Sequence, residues 1–304
     1  MESRAGPTPG MEHRLAIALV LTGLVCAAEV VGGLLTGSLA LLSDAAHVFL
    51  DAFALALSYA ALRLAARPPD DRHTYGFHRL QVLAALVNGA TLVVVALGIF
   101  REAWGRLREP VLVLAGPMLA VAAAGLAANL AVAWMLRKHE KHDLNLHSAF
   151  LHVLGDILGS VGAIAAGAVI LATGWTPADA LVSLLIGAVI LVGAWRVLRR
   201  SVHILAEGVP EGLSAAAVGA AMAQVPGVAE VHDLHVWAVG PGYAALSAHV
   251  VLADQTLSET QAVMQELKRV LADEFGIQHT TIQFECASCG QGRLACLGPG
   301  GHPR

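Results

Sequence analysis

A histidine and an aspartate four residues apart occur twice inside long apolar segments of this sequence. The first pair is His47 and Asp51, and the second pair is His152 and Asp156. A spacing of four residues places both side chains of a pair on one face of a helix. Ionisable groups at membrane depth cost about 2.5–3.5 kcal/mol each on insertion scales, so they usually mark an ion pathway. The two pairs are therefore the first candidates for a functional site.

Two such helix faces brought together would offer two imidazole nitrogens and two carboxylate oxygens. Zinc accepts four ligands of this kind in tetrahedral geometry. A single pair could equally cap a helix or hydrogen-bond within a bundle, but two identical pairs in separate segments favour a metal site. Replacing nitrogen ligands with oxygen would shift preference toward manganese, iron or cadmium, so the two histidines favour zinc, with cobalt and nickel left open. Metal and protons compete for these groups, which predicts an exchange of zinc for protons.

Other polar side chains occur in the same apolar segments. Asp44 lies one turn before His47, where it could line the exit path, orient a ligand or serve the helix end. Glu29 is interpreted as a structural partner inside the bundle, and Asn129 is a further polar group. Cys26 is interpreted as a small buried apolar residue.

The composition indicates a membrane protein. The 304 residues are 56% apolar and 14% charged, with a mean hydropathy of +0.66, which excludes an ordinary soluble domain. The net charge of −4 gives no reason to expect nucleic acid as a partner. A bilayer span needs roughly 20 residues. Six apolar stretches reach about that length: 15–35, 40–65, 80–103, 112–136, 148–172 and 178–199.

Lysine and arginine predict the orientation, because cytoplasmic loops carry an excess of both. Twelve of these residues would lie on one side: Arg4, Arg14, Arg63, Arg67, Arg72, Arg79, Arg137, Lys138, Lys141, Arg196, Arg199 and Arg200. Three would lie on the other: Arg101, Arg106 and Arg108. Both termini are therefore predicted to be cytoplasmic. The first 14 residues lack a signal-peptide pattern and are interpreted as a disordered tail.

The pattern changes after Arg200 to alternating helix and strand signals around a Gly240-Pro241-Gly242 turn. The predicted elements are helix Leu213–Gln224, strands Val228–Val239 and Tyr243–Leu252, helix Ser258–Phe275 and strand His279–Glu285. This α-β-β-α-β order suggests a small ferredoxin-like α+β domain. The predicted divisions are a tail at 1–14, a six-helix transmembrane domain at 15–205, a cytoplasmic domain at 206–290 and a disordered tail at 291–304.

The predicted cytoplasmic domain carries a second group of metal-binding residue types. His232 and His249 fall on the two hairpin strands, and His279 and Glu285 share one face of the last strand. His235 has the opposite parity to His232 and is interpreted as structural. This group predicts a cytoplasmic metal site.

Cys286 and Cys289 follow the last strand with the spacing of metal ligands. A disulfide or an unused pair is the alternative. In a reducing cytosol zinc binding is favoured over both.

Several segments together resemble one family, the cation diffusion facilitators, and within it the zinc-transporting branch. The matching segments are SLALLSDAAHVFLDA, TYGFHRLQVLAALVNG, LNLHSAFLHVLGDILGSVG, LAEGVPEG and VHDLHVWAVG. They extend from about residue 15 to residue 290. The resemblance implies a homodimer with six transmembrane helices per subunit, a cytoplasmic ferredoxin-like domain and export of metal in exchange for protons.

The resemblance also implies roles for particular residues. The transport site falls on His47, Asp51, His152 and Asp156, and the regulatory ligands on His232, His249 and Glu285. Some family members bind a second metal in the loop after the second helix through an aspartate and two histidines. Asp70 and His73 match that pattern, but Phe77 stands where the later histidine is expected. The neighbouring His78 could serve instead, or the loop site is missing.

The leading hypothesis is a proton-coupled zinc exporter in a bacterial inner membrane. Cadmium and cobalt are its candidate further substrates. An intramembrane metalloenzyme is disfavoured because no HExxH motif occurs and both pairs end in aspartate. The remaining alternatives are a metal-sensing membrane receptor and a transporter of manganese, iron or nickel. The expected partners are a second copy of the chain, the lipid bilayer and protons, with Zn²⁺ as substrate and as cytoplasmic ligand.

Overall fold

The computed structural model describes residues 9–136 and 144–287, with side chains described for 20–135 and 153–287. The chain divides into two compact units. The helical unit comprises residues 1–57 and 87–196, and the mixed unit comprises residues 58–86 and 197–304. Residues 1–8 of the predicted N-terminal tail, the predicted C-terminal tail and Cys289 lie outside the described residues. The prediction of a disordered tail is wrong for residues 9–14, because the first helix begins at Pro9.

Six long helices come first in the chain. They are α1 (Pro9–Thr36), α2 (Leu39–Ala65), α3 (Arg79–Arg108), α4 (Ala115–Leu136), α5 (Leu144–Thr173) and α6 (Pro177–Leu205). In the described part of the chain, five helices are long and apolar enough to cross a membrane, and Val20–Thr36 of α1 is a shorter apolar segment. Many large apolar side chains on these helices are exposed, as lipid contact requires. The predicted six-helix membrane architecture is confirmed.

Small residues allow the helices of the helical unit to approach closely. Alanines dominate one buried cluster among α2, α4, α5 and α6: Ala40, Ala115, Ala122, Ala163, Ala166 and Ala178. Gly32 of α1 lies against Val121 of α4, and Gly33 lies against Leu42 of α2. Small interfacial residues are how membrane helices gain packing contacts without a hydrophobic driving force.

The mixed unit contains a three-stranded sheet and two helices. Its elements are α7 (Ala215–Ala223), β1 (Val228–Gly240), β2 (Tyr243–Leu252), α8 (Leu257–Phe275) and β3 (His279–Glu285). The strand order is β1-β2-β3, with β1 antiparallel to β2 and β2 parallel to β3. The parallel pair requires a crossover, which α8 supplies. The predicted α-β-β-α-β order is confirmed.

The apolar core of the mixed unit lies between its sheet and its two helices. The largest fully buried side chains there are Met222, Leu246, Leu267, Leu271 and Ile277. Gly276 ends α8 in the left-handed conformation at φ 67°, which glycine adopts without a Cβ penalty. This core fixes the strands that carry the predicted cytoplasmic ligands.

Candidate metal sites

The first predicted pair lies on α2 in the helical unit. His47 Nε2 lies 3.8 Å from Asp51 Oδ2, and both side chains keep about a quarter of their surface exposed, at 26% and 29%. On α5, Asp156 is only 1% exposed. His152 belongs to α5 as predicted, but its side chain lies outside the described residues.

The register of α2 against α5 is given by a close approach at Gly159. A Cβ at Gly159 would clash with the carboxylate of Asp44, so that carboxylate lies directly on the α5 backbone. Successive spans alternate in direction, so the even-numbered α2 and the odd-numbered α5 run oppositely. One turn along α2 from Asp44 is His47, and one turn back along α5 from Gly159 is Asp156. His47 and Asp156 therefore occupy the same level of the bundle.

The carboxylate of Asp44 is buried between α2 and α5. Asp44 is 2% exposed, and Asp156 is 1% exposed. Both carboxyls thus lie in the interior of the helical unit. The accessory role predicted for Asp44, next to the predicted transport pairs, stays a prediction.

The ligand atoms of the residues predicted to form the transport site are not all close together. Among the described side chains, one group of three or more histidine, cysteine, aspartate or glutamate residues has ligand atoms within 4.8 Å of one another, and it lies in the mixed unit. His47, Asp51 and Asp156 do not form such a group. A metal bound by all three would require their ligand atoms to come closer together.

The start of α2 is held by a network centred on Asp179 of α6. Asp179 accepts hydrogen bonds from Ser38 Oγ at 2.6 Å and from the backbone N–H groups of Leu39 and Ala40 at 2.6 and 3.2 Å. Its side chain is 1% exposed, and Arg106 Nη1 approaches to 3.7 Å. These interactions satisfy the unpaired N–H groups of the first turn of α2. We call them the Asp179 network.

Arg106 connects this network to α3 and to the α1–α2 turn. Its guanidinium bonds Glu102 at 3.0 Å and the carbonyl oxygen of Gly37 at 2.5 Å. Gly37 has φ 74°, a left-handed conformation that favours glycine. The Asp179 network therefore fixes the helix that carries His47 and Asp51.

The three-ligand group in the mixed unit consists of His232, His249 and Glu285. His232 and His249 are paired directly across β1 and β2, and Glu285 of β3 lies on the same face. Glu285 approaches His232 Nε2 at 3.2 Å and His249 Nδ1 at 2.9 Å. His232 is fully buried, whereas His249 and Glu285 are partly exposed. We call this group the sheet cluster, and its two imidazoles and one carboxylate form a donor set that zinc accepts.

Two further acidic residues lie beside the sheet cluster, and the sequence analysis did not identify them. Glu230 Oε1 is 3.6 Å from His232 Nδ1, and Asp233 Oδ2 is 3.7 Å from His249 Nε2. Asp233 also approaches His235 Nε2 at 2.9 Å. The pairing of β1 with β2 shifts register between His232 and His235, and Asp233 has φ 46°. This bulge adds one residue to β1 between His232 and His235, so the strict alternation of faces expected from the sequence does not hold there. The only signal for the bulge in the sequence is Asp233, whose short side chain tolerates such a backbone.

Two other predicted cytoplasmic ligands lie apart from the sheet cluster. The ring of His279 contacts those of Tyr75 and Tyr243, with centroids 5.1 and 6.1 Å away. Cys286 is exposed, and its sulfur lies 3.8 Å from Asp254 Oδ1. Neither residue joins the described three-ligand group. The strand face that His279 shares with Glu285 did not bring its ring into the group.

The predicted loop site is only partly assembled. Asp70 Oδ1 lies 3.0 Å from His73 Nδ1, and it also accepts hydrogen bonds from the backbone N–H groups of Arg72 and His73. His78 does not join them, because its ring packs on Tyr243 with centroids 4.9 Å apart. The described structure therefore shows a hydrogen-bonded turn at Asp70 rather than three converging ligands.

Six membrane helices with buried acidic groups, followed by a small α+β domain with a histidine–carboxylate cluster, define a metal-handling membrane protein. Residues 15–206 match the cation efflux transmembrane domain, and residues 210–287 match the cytoplasmic domain of cation efflux proteins. The chain belongs to the cation efflux family, the cation diffusion facilitators, as the sequence motifs predicted. The family and the relatives described below are transporters rather than enzymes.

The chain is 44% identical over 286 residues to the metal cation efflux system protein CzcD of Cupriavidus metallidurans, covering 94% of this chain and 90% of that protein. It is 39% identical over 270 residues to the cadmium, cobalt and zinc/H(+)-K(+) antiporter of Bacillus subtilis, covering 88% and 86%. Among solved structures, the metal-bound C-terminal domain of the CzcD transporter is 45% identical, covering 24% of this chain and 99% of that one, with a TM-score of 0.22.

Proposed function

We propose that this protein exports zinc from the cytoplasm in exchange for protons, through a site formed by His47, Asp51, His152 and Asp156. The observation that carries the proposal is the register of α2 against α5, which puts His47 and Asp156 at one level. The antiporter from Bacillus subtilis supports the choice of ions, because its name includes zinc and protons. Cadmium and cobalt occur in the same name and are secondary substrates in the proposal.

Proton coupling follows from the chemistry of these ligands. Imidazole must be neutral and carboxylate ionised to bind zinc, so the metal and protons exclude one another. The protein would take zinc on one side of the membrane and return with protons. The positive-inside pattern supports cytoplasmic termini and a cytoplasmic mixed unit. Insertion in a bacterial inner membrane is part of the same proposal.

We propose that the sheet cluster binds a resident zinc ion in the cytoplasmic domain. Its three ligand atoms lie within 4.8 Å of one another, which fits one metal ion, and a water or thiolate would complete the coordination. Cys286 is the nearest described cysteine in the chain, and Cys289 is kept as a candidate. The match to the family's cytoplasmic domain supports assembly as a homodimer. In this proposal, metal sensing by the sheet cluster regulates the transporter instead of defining a separate receptor.

The test is zinc flux in proteoliposomes with a zinc-sensitive and a pH-sensitive dye. The parent protein should move zinc against an opposing proton flux. Asp51→Ala and Asp156→Asn should abolish both fluxes while the protein stays folded. Asp71→Asn, which alters an exposed loop carboxylate, is the matched control and should transport normally. Normal flux through either site variant would refute the assignment, and zinc flux without proton movement would reduce the protein to a uniporter.

Selectivity tests the first ligand directly. His47→Asp replaces a nitrogen ligand with oxygen, which should weaken the preference for zinc and admit cadmium or manganese. A competition assay across divalent cations measures this preference. An unchanged order of metals would place His47 outside the metal's coordination sphere.

A further inference from the structure

A large cavity in the mixed unit is used by neither proposed metal site. Its volume is about 1150 Å³, whereas most small-molecule pockets enclose about 300–1,000 Å³. Every residue that lines it belongs to the mixed unit, and no member of the sheet cluster is among them. The cavity therefore has room for a long ligand that is not a metal ion.

Three segments of the mixed unit form most of the cavity wall. They are residues 72–83 in the α2–α3 loop and the first turn of α3, residues 207–209 after α6, and residues 234–239 of β1. Arg79 Nη2 lies 3.0 Å from Glu207 Oε1, so the first segment contacts the second. The N–H of Ala238 donates a hydrogen bond to the carbonyl oxygen of Gly208 at 3.1 Å, so the second contacts the third. The three segments therefore enclose one space.

The lining combines apolar side chains with two arginines. The larger apolar members include Phe77, Leu80, Leu83, Val209, Val236 and Trp237. Glu207 is the one acidic residue of the described lining, and it is paired with Arg79. Arg72 is exposed, and within the described part of the chain no ion pair engages its guanidinium. An apolar wall with one such arginine is complementary to a ligand that joins an acyl chain to an anionic group.

The position of the cavity along the chain indicates where such a ligand comes from. Arg79 is the first residue of α3, a helix long and apolar enough to cross a membrane. Leu83, one turn further along α3, lines the cavity and is 43% exposed. The end of a membrane helix lies at the level of the lipid headgroups, where tyrosine and tryptophan are enriched, and Tyr75 and Trp237 both line the cavity. Basic pockets beside such helix ends bind anionic lipid headgroups.

We propose that this cavity binds one phospholipid with an anionic headgroup. Arg72 binds the phosphate, and the acyl chains cover the apolar lining and pass Leu83 into the bilayer. The inference goes beyond the proposed zinc–proton exchange and does not depend on it, because His47, Asp51 and Asp156 are not among the residues that line the cavity.

Native mass spectrometry of the full-length protein tests the proposal, because it counts bound lipids and subunits together. The probes are phosphatidylglycerol and phosphatidylcholine with identical acyl chains, and the parent should retain one phosphatidylglycerol per chain in preference. Arg72→Gln keeps the backbone N–H that bonds Asp70 and should bind phosphatidylglycerol about fivefold more weakly, the usual effect of one basic residue near an anionic lipid. Arg101→Gln, which alters an exposed arginine further along the same helix, is the matched control and should bind like the parent. Equal retention of the two lipids by the parent, or equal weakening in the two variants, would overturn the proposal.

Ala215→Trp tests the cavity itself, because it adds a large side chain to the lining without changing its charge. This variant should lose the retained phosphatidylglycerol, and undiminished retention would overturn the proposal. Excess glycerol 1-phosphate should not displace the lipid from the parent, and complete displacement would assign the site to soluble phosphates instead. A parent dimer that becomes a monomer in Ala215→Trp would assign the cavity to a second copy of the chain, which also overturns the proposal.

Discussion

Replacing Asp179 with alanine should destabilise the helical unit and impair transport together. The substitution removes the acceptor for three hydrogen bonds at the start of α2 and leaves Arg106 without its buried partner. Loss of a helix N-cap alone costs about 1 kcal/mol. Breaking a buried charged pair from one side costs about 3–5 kcal/mol, because the remaining charge stays buried. Since Arg106 retains Glu102 and the Gly37 carbonyl as partners, we expect the low end, about 3 kcal/mol.

The magnitude translates into a measurable change in melting temperature. A loss of 1 kcal/mol lowers Tm by about 2–4 °C for units of this size, so Asp179→Ala should lower it by about 6–12 °C. Tryptophan fluorescence in detergent follows the unfolding, because Trp104 lies on α3 and Trp175 precedes α6. Zinc flux should fall as well, because His47 lies only nine residues after Ser38, about 13 Å along α2.

Two controls separate the network from a general effect of substitution. Asp71→Ala removes an exposed carboxylate and should change stability by less than about 0.5 kcal/mol. Combining Asp179→Ala with Arg106→Ala should cost less than the sum of the single changes, since the two residues share one interaction. A Tm within 2 °C of the parent for Asp179→Ala, at roughly half a kcal/mol, would refute the reasoning.

Three further predictions follow from other parts of the structure. Gly159→Ala should abolish zinc flux and zinc binding at the proposed transport site, because the new methyl group clashes with Asp44 and separates α2 from α5. Normal zinc flux would contradict the register. His232→Ala should remove the rise in Tm that saturating zinc gives the mixed unit, as measured by scanning calorimetry. In the parent protein, EDTA should likewise remove this rise in Tm. The backbone N–H and the hydroxyl of Thr256 donate hydrogen bonds to Glu259 and lower the pKa of its carboxyl. Protonation of Glu259 as pH falls below about 4 should therefore reduce the hydrogen-exchange protection of the first turn of α8. Unchanged protection would contradict this prediction.

Hydrophobic pattern was sufficient to predict the architecture of both units. The spans were recognisable because each exceeds the length that a bilayer requires, and the strands because their turn residues stand at the expected places. The predicted strand Tyr243–Leu252 has the same bounds as β2, and His279–Glu285 the same bounds as β3. These patterns depend only on residues that are close in sequence, so they predict the elements without any information on tertiary contacts.

Tertiary contacts decided the features that sequence reasoning missed. Asp233 reaches the sheet cluster through a bulge, which a strict two-residue period cannot express. His78 was a reasonable substitute ligand by its position in the loop, but ring packing on Tyr243 takes it elsewhere. Arg106 looked like an exception to the positive-inside pattern, yet its side chain is only 15% exposed and serves the Asp179 network. A residue used in such a structural network carries little information about orientation.

The two proposed metal sites differ in how their ligands are held, and this difference matches what each site must do. The sheet cluster lies on three strands whose hydrogen-bonded register fixes its ligands, so their atoms converge within 4.8 Å. A metal bound there is retained as long as the sheet is intact. The transport ligands lie on α2 and α5, which no backbone hydrogen bonds connect among the described residues, and their described atoms do not converge as closely. An ion held between two independent helices is released when the helices separate, which a transported ion requires and a resident ion does not.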